Sequence, residues 1–394
     1  MWNREIPRGL RDLLPEEVKI KRNIEHKAAR LFRSYGYEEV ITPTFEFMEV
    51  VEAGAGGNIR KDLFLFMDRE GGILSLRPEM TVSIARLAAT HYREAALPCR
   101  FFYLANVFRH VQPHLAQYRE FWQVGIELLG ASGAEADAEV ISIAVKTLQA
   151  IGLKDFRLSL NQIGIFNGLL EGSGMNPEER QTIRALIEKK DLVALASVLE
   201  GLDIDEGLKE TIASLPVLHG GLEVLKRIPY VEKNAAASAA VGELLRIYEA
   251  LQVYGVGQHI VVDMGVLRGL DYYTGMVFEG YSPALGYGLL GGGRYDNLVG
   301  KFGHQMPATG FALGLDRLAL VLQAKEEEPR CCLLGGGDLA RRVARADELR
   351  SEGYLVEMDV QGLSREELQE RAGQKPGCQV VYLDIDTKGN DRHG

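Results

Sequence analysis

Apolar positions recur with two different periods along the chain, and the switches between periods mark the elements. Near the start, Ile24, Ala28, Leu31 and Phe32 fall on one helical face. Pro15, Glu16 and Glu17 ahead of them suit a first helical turn, and Gly36 is placed to stop the helix. Val40 and Ile41 lead as a strand into Thr42-Pro43. Leu63-Phe64-Leu65-Phe66 and Ile73-Leu74-Ser75-Leu76 flank a polar turn with Gly71-Gly72, the signature of a hairpin. A helix is expected from about Glu79 to Tyr92. Two long strands follow, about Arg100 to His110 and Arg119 to Leu129, and the polar, proline-containing segment between them predicts antiparallel pairing.

From about 164 to 252 β-branched alternation disappears. Asn176 before Pro177-Glu178-Glu179 is a helix cap, and Leu186, Leu192, Leu195 and Leu199 predict short helices, so the segment reads as a helical insertion. Strands resume over about His259–Asp263 and Tyr273–Tyr281, and a last helix is expected over about Phe311 to Lys325. Glu326-Glu327-Glu328-Pro329 is a charged breaker. Beyond it strand and helix signals alternate, near 331–334, 339–351, 354–360, 365–372 and 379–385, which predicts a small βαβαβ unit with a parallel sheet. The expected division is a core domain over 1–325, carrying the insertion at about 164–252, and a smaller α/β domain over 329–394.

Composition narrows the class of protein. With 46% hydrophobic and 25% charged residues in 394, the chain can bury a large core without disulfide staples. No apolar run reaches the roughly 20 residues of a membrane span, and the N-terminus lacks a signal-peptide core, so a cytoplasmic protein without a membrane partner is expected. The net charge of -10 argues against a protein built to grip phosphate backbones. Cys99, Cys331, Cys332 and Cys378 form no CxxC or metal-spaced pattern and read as reduced thiols. No HExxH pattern appears either, so neither a metal nor a cofactor is expected.

Three places could carry chemistry. On the strand over 119–129, Phe121, Gln123, Gly125 and Glu127 share one face, while Trp122, Val124, Ile126 and Leu128 point into a core. A glutamine and a glutamate with a glycine between them leave room for a small ligand, although a solvated sheet face has the same spacing. Glu79 and Thr81 open a helix, where they either complement its dipole or face a ligand. Arg268, Asp271, Tyr272 and Tyr273 open a strand; the arginine either holds a carboxylate bidentately or pairs with Asp271. Gly291-Gly292-Gly293 before Arg294-Tyr295-Asp296 matches no phosphate-loop pattern, but strand glycines mark close approach. Gly335-Gly336-Gly337 reads as a turn.

The segments LRPEMT (76–81), FRHVQPHLAQYREFWQVGIELLG (108–130), RGLDYYTGMVFE (268–279), GGGRYDNLVGKFG (291–303) and GFALGLDRL (310–318) resemble histidyl-tRNA synthetase, in that order and with a helical insertion in the same place. The resemblance covers roughly residues 8 to 322. It implies an α+β fold of the class II aminoacyl-tRNA synthetase type, an antiparallel sheet flanked by helices, dimerising through the region around Pro43. It also implies a histidine pocket made by Glu79, Thr81, Gln123, Glu127, Arg268, Tyr273 and Tyr295, and a nucleotide grip by Arg109 and Arg317.

The nucleotide side of that resemblance is degraded. Where the synthetases continue Phe-Arg-His with Glu-Arg-Pro, and place a further arginine before Tyr-Arg, this chain has Val111, Gln112 and Gln117. Valine cannot accept a hydrogen bond, and the lost cations remove the charge stabilisation that phosphoryl chemistry needs. The C-terminal unit resembles a shortened anticodon-binding domain and carries 15 acidic against 11 basic residues from Lys325 to Gly394, a poor surface for tRNA. A histidine pocket without activation chemistry resembles the paralogous family of regulatory subunits of ATP phosphoribosyltransferase. That resemblance implies a non-catalytic histidine sensor. It would form a homodimer within a hetero-oligomer with the short-form catalytic subunit, and free histidine would act as the effector. A working histidyl-tRNA synthetase and a free-standing histidine-binding paralogue are the alternatives.

Overall fold

Local signals set the first helix. It spans Pro15–Ser34 with proline in the first turn, and Glu17 returns a carboxylate to the Leu14 amide at 3.0 Å. Its apolar stripe lands on the sheet, where Phe32 meets Phe102 at 5.7 Å and Phe311 at 6.1 Å between ring centroids. The computed structural model describes residues 4–55, 57–112, 117–267, 272–322, 330–375 and 377–384. The chain divides into two compact units, 1–323 and 324–394.

The first unit is built on a nine-stranded sheet. In spatial order its strands are Glu38–Glu39, Cys99–Phe108, Glu120–Leu129, Ala308–Gly314, Leu290–Arg294, Met276–Tyr281, Arg157–Gln162, Ile260–Asp263 and His219–Gly220. Pairing is antiparallel except between Glu38–Glu39 and Cys99–Phe108 and between Arg157–Gln162 and Ile260–Asp263. Val124, Ile126 and Leu128 are buried in the main core, as the alternation predicts. The helix Ala134–Ala150 and the strand Arg157–Gln162, which the sequence pattern did not single out, complete that core.

Two expectations are corrected here. Residues from Phe311 to Gly314 form a strand, not the start of the last helix, which runs Leu315–Val321. Gly310 and Gly314 weaken a helix, and the segment gains a full ladder, from Ala308 opposite Leu129 to Gly314 opposite Gln123. The strand expected through Val40 and Ile41 pairs only at Glu38–Glu39, and Ile41 is 86% exposed. The hairpin forms between Leu65–Met67 and Ile73–Leu76, and Phe45–Phe47 joins it as a third strand. Phe45, Phe47, Met67 and Ile73 remain exposed.

Over the predicted insertion lie the helices Ile163–Glu171, Pro177–Glu188, Leu192–Glu200, Glu206–Ser214 and Ala235–Val253. Asn176 caps the second of them, accepting from Glu179 N at 2.9 Å while Glu179 accepts from Asn176 N at 2.8 Å. Among the described residues no helix is long and apolar enough to cross a membrane.

The second unit is a parallel three-stranded sheet in the order Leu355–Met358, Cys331–Gly336, Cys378–Leu383, with the helices Leu339–Ser351 and Arg365–Gly373. Here the expectation of reduced thiols fails for two cysteines: Cys331 and Cys378 face each other in register and form a disulfide, while Cys99 and Cys332 are free and buried. Spacing could not show this, because 47 residues separate the pair and only strand register brings them together. The buried cluster of this unit is small, Leu333, Leu368 and Ala372. A bond closing a loop of that length stabilises by about 4 kcal/mol in the chain-entropy model. Dithiothreitol is therefore expected to accelerate amide hydrogen exchange across 330–384 and to leave the 1–323 sheet untouched; unchanged exchange across 330–384 would contradict the staple.

Candidate ligand-binding site

Two successive rows of residues cross the sheet on the face opposite Trp122 and Val124. In the first row Phe101, Glu127, Gly310, Gly293 and Val277 stand side by side. In the next row stand Tyr103, Gly125, Ala312, Gly291 and Glu279. Small residues in the middle make a trough, and larger side chains from its sides lie down into it. Cβ atoms added at Gly125, Gly293 and Gly310 would meet Tyr103, the Tyr273 ring and the Glu127 carboxylate, at 2.4, 2.7 and 1.9 Å. The room that spacing assigned to a ligand between Gln123 and Glu127 is therefore filled, over Gly125, by Tyr103, which reaches across from the neighbouring strand.

Glu127 is the hub. It is 1% exposed; Thr81 Oγ1 donates to one carboxylate oxygen at 2.9 Å and the Tyr295 hydroxyl donates to the other. Burial, reinforced by the nearby Glu79 charge, pushes its carboxyl up to about 8. Glu79 accepts the backbone N–H groups of Thr81 and Val82 at 2.7 and 2.8 Å, so it caps the helix Thr81–His91. The cap also aims Thr81 at Glu127. Burial raises the Glu79 carboxyl as well. Tyr272 adds an aromatic wall, 4.9 Å from Tyr273 and 5.7 Å from Tyr295 between centroids.

Buried arginines hold the segments that carry these groups. Arg77 donates to the carbonyls of Asn106 and Thr42, both at 2.9 Å, and to Asn106 Oδ1 at 3.1 Å, which fixes the turn leading to Glu79. Arg294 bridges Asp137 at 2.8 Å and Asp296 at 2.9 Å and so pins the segment bearing Tyr295.

Beside this cluster opens a cleft of about 390 Å³ whose lining includes Arg109, Gln117, Gln123, Glu279 and Arg317. Arg109 Nε donates to Pro78 O at 2.9 Å, and Arg317 Nη1 donates to Gly288 O at 2.6 Å. Asp62, Glu279 and Asp316 also line the cleft, so acids outnumber the two arginines among its described residues. Val111 lines it too and offers no side-chain hydrogen bond.

The structure thus joins Glu79, Thr81, Glu127 and Tyr295 in one buried hydrogen-bonded cluster with Tyr273 packed beside it. Gln123, Arg109 and Arg317 stand in the adjoining cleft. Arg268 and Asp271 lie outside the described residues. Tyr103 and Glu279 were missed from sequence, whereas Tyr272 stands in a segment that the sequence marked. No local signal marked Tyr103 or Glu279: Tyr103 fills the space over Gly125, and Glu279 lies against Gly288, only through the pairing of strands.

This sheet, with helices on one face and the cluster on the other, is the class II histidyl-tRNA synthetase-like fold. The family model for histidyl-tRNA synthetase matches residues 9–318. Among relatives called ATP phosphoribosyltransferase regulatory subunit, one from Moorella thermoacetica is 44% identical over 93% of this chain and 95% of its own length. Another, from Desulforamulus reducens, is 38% identical over 97% of this chain and 96% of its own. A crystal structure described as an ATP phosphoribosyltransferase regulatory subunit/histidyl-tRNA synthetase, from Bacillus halodurans, superposes with a TM-score of 0.87 at 30% identity, covering 98% of this chain and 99% of that one. Histidyl-tRNA synthetase from Nostoc sp. PCC 7120 shares the fold, with a TM-score of 0.82 at 22% identity over 97% of this chain and 92% of that one. The chain belongs to the histidyl-tRNA synthetase family, in its branch of ATP phosphoribosyltransferase regulatory subunits.

Proposed function

We propose that this chain is a non-catalytic, cytoplasmic subunit that binds free histidine and assembles with the short-form catalytic subunit of ATP phosphoribosyltransferase. It activates that enzyme in the first step of histidine biosynthesis and transmits feedback inhibition by histidine. The observation that carries this reading is a contrast within one site. The buried cluster around Glu127 keeps its donors and acceptors, while the adjoining cleft has lost its excess of cations. Glu79 and Glu127 would meet the ammonium and an imidazole N–H of histidine, Gln123 or Arg268 its carboxylate, and Tyr273 and Tyr295 would wall the ring. Arg109 and Arg317 would be remnants of a nucleotide grip, with ATP and phosphoribosyl pyrophosphate bound by the partner chain. The exposed apolar surface of Phe45, Phe47, Met67 and Ile73, beside Pro43, favours a homodimer there. The unit over 329–394 is read as a shortened anticodon-type domain that binds no tRNA.

The test is reconstitution. Mixed with the catalytic chain, this protein is expected to raise formation of N1-phosphoribosyl-ATP, and added histidine to suppress it by roughly 5–150-fold in effective affinity. No stimulation, or charging of tRNA with histidine by the purified chain, would overturn the proposal.

A further inference from the structure

Cys331 opens the central strand of the second unit, and Cys378 opens the strand at its edge. The disulfide between them therefore lies at the N-terminal rim of the parallel sheet, and both residues are half-buried. Cys332, the next residue along, points to the opposite face and is 0% exposed. Burial raises its thiol, so it stays protonated and takes no part in exchange. Apart from the bond, the edge strand Cys378–Leu383 is held by its ladder to Cys331–Gly336 and by the small cluster of Leu333, Leu368 and Ala372, against which Val380 and Tyr382 pack. In a unit this small a cross-link carries a large share of the stability.

A disulfide at a strand end is open to exchange, because an incoming thiolate can reach its sulfurs. In a reducing cytoplasm such bonds are usually transient. We propose that Cys331 and Cys378 form a reversible dithiol–disulfide site that couples the thiol state of the cell to the order of the second unit. The site has this role only if the chain is cytoplasmic, as proposed above. The co-reactant is a low-molecular-weight thiol. Its thiolate attacks one sulfur of the pair, forms a mixed disulfide and expels the other cysteine as a thiolate, which takes up a proton. A second thiolate attacks the small molecule's sulfur in the mixed disulfide, forms the small disulfide and releases the remaining cysteine, which is protonated in turn. Two electrons pass from the two small thiols to the protein, and an excess of the small disulfide runs the steps backward.

Alkylation of the whole native chain with iodoacetamide, read at each cysteine by mass spectrometry, tests the site in reduced glutathione and then in oxidised glutathione. Cys331 and Cys378 are expected to be alkylated in the reduced buffer and protected after transfer to the oxidised one. Cys332 is expected to react about tenfold or more faster in the reduced state, because loosening of the edge strand uncovers it. Cys99, buried in the first unit, is the internal control and should react at the same slow rate in both buffers. In Cys378→Ser, which cannot form the bond, Cys332 should keep the fast rate in either buffer. A bond that survives reduced glutathione would be a permanent staple. Thiols that do not pair again, or lasting glutathione adducts at either position, would deny the exchange. Equal Cys332 rates in the two buffers would deny control of the unit. Each of these three outcomes overturns the switch and leaves the histidine reading standing. Recovery of the chain outside the cytoplasm on cell fractionation would instead overturn the placement, and the switch with it.

Discussion

Histidine binding is expected to weaken by about 100-fold or more in Glu127→Gln, with the fold intact. The substitution keeps the shape of the side chain. Thr81 and Tyr295 can both turn a hydroxyl to the amide oxygen or accept from its N–H₂, so the buried cluster is not left unsatisfied. A ligand N–H favours the ionised form of Glu127 against the burial that raises its carboxyl; an amide cannot ionise to meet that donor, and its N–H₂ replaces half of the acceptor surface. Calorimetry with histidine measures the loss; binding within threefold of native would remove Glu127 from the site.

The same variant reports on pH. The Glu127 carboxyl sits at about 8 in the folded protein against 4.5 for the free group. Between these values the native state binds more protons than the unfolded chain, so the free energy of unfolding falls as pH rises across the window. Below about 4.5 both states are protonated and this destabilising contribution is absent. Urea denaturation at pH 5 and pH 8 should therefore show the native chain losing more stability between the two than Glu127→Gln does. Asp137, which burial raises to about 6, contributes with the same sign but is common to both proteins and cancels in the difference.

Gly310→Ala is expected to be the most damaging single methyl addition to this site, costing about 3 kcal/mol of stability and removing histidine binding. Gly310 lies between Glu127 and Gly293 in the middle of the sheet. A Cβ there would stand 1.9 Å from Glu127 Oε2 and 2.5 Å from the Ile126 carbonyl. The carboxylate could swing aside only by leaving Tyr295 or Thr81. The carbonyl cannot move without breaking the ladder between two central strands. Urea denaturation and calorimetry check the two losses together. A variant that keeps native stability would mean that the strands spread to accept the methyl group.

Hydrophobic alternation and caps made much of the architecture legible. Each of these signals is local: a helix announces itself by Pro15 and the Ile24–Phe32 stripe, a strand by Val124, Ile126 and Leu128 against Gln123 and Glu127. The alternation also separated the two faces of that strand, which is why Gln123 and Glu127 stand apart from the core residues as candidates. Segments whose local preference is weak were read less well. The residues from Phe311 to Gly314 read as the start of a helix because they carry no period of their own, and only the ladder to Glu120–Leu129 makes them the end of the strand Ala308–Gly314.

What the sequence by itself determined is a set of candidate residues and, for Thr81, Gln123 and Glu127, the helix or strand each belongs to, because periodicity, capping and motif spacing act over a few residues. The tertiary structure decided which of those residues meet. The Thr81 and Tyr295 hydroxyls converge on Glu127 from 46 and 168 positions away. Tyr103 fills the space over Gly125, and Cys331 reaches Cys378, only through strand register. Register is fixed when a whole face is buried at once, a cooperative effect that no short window of sequence contains.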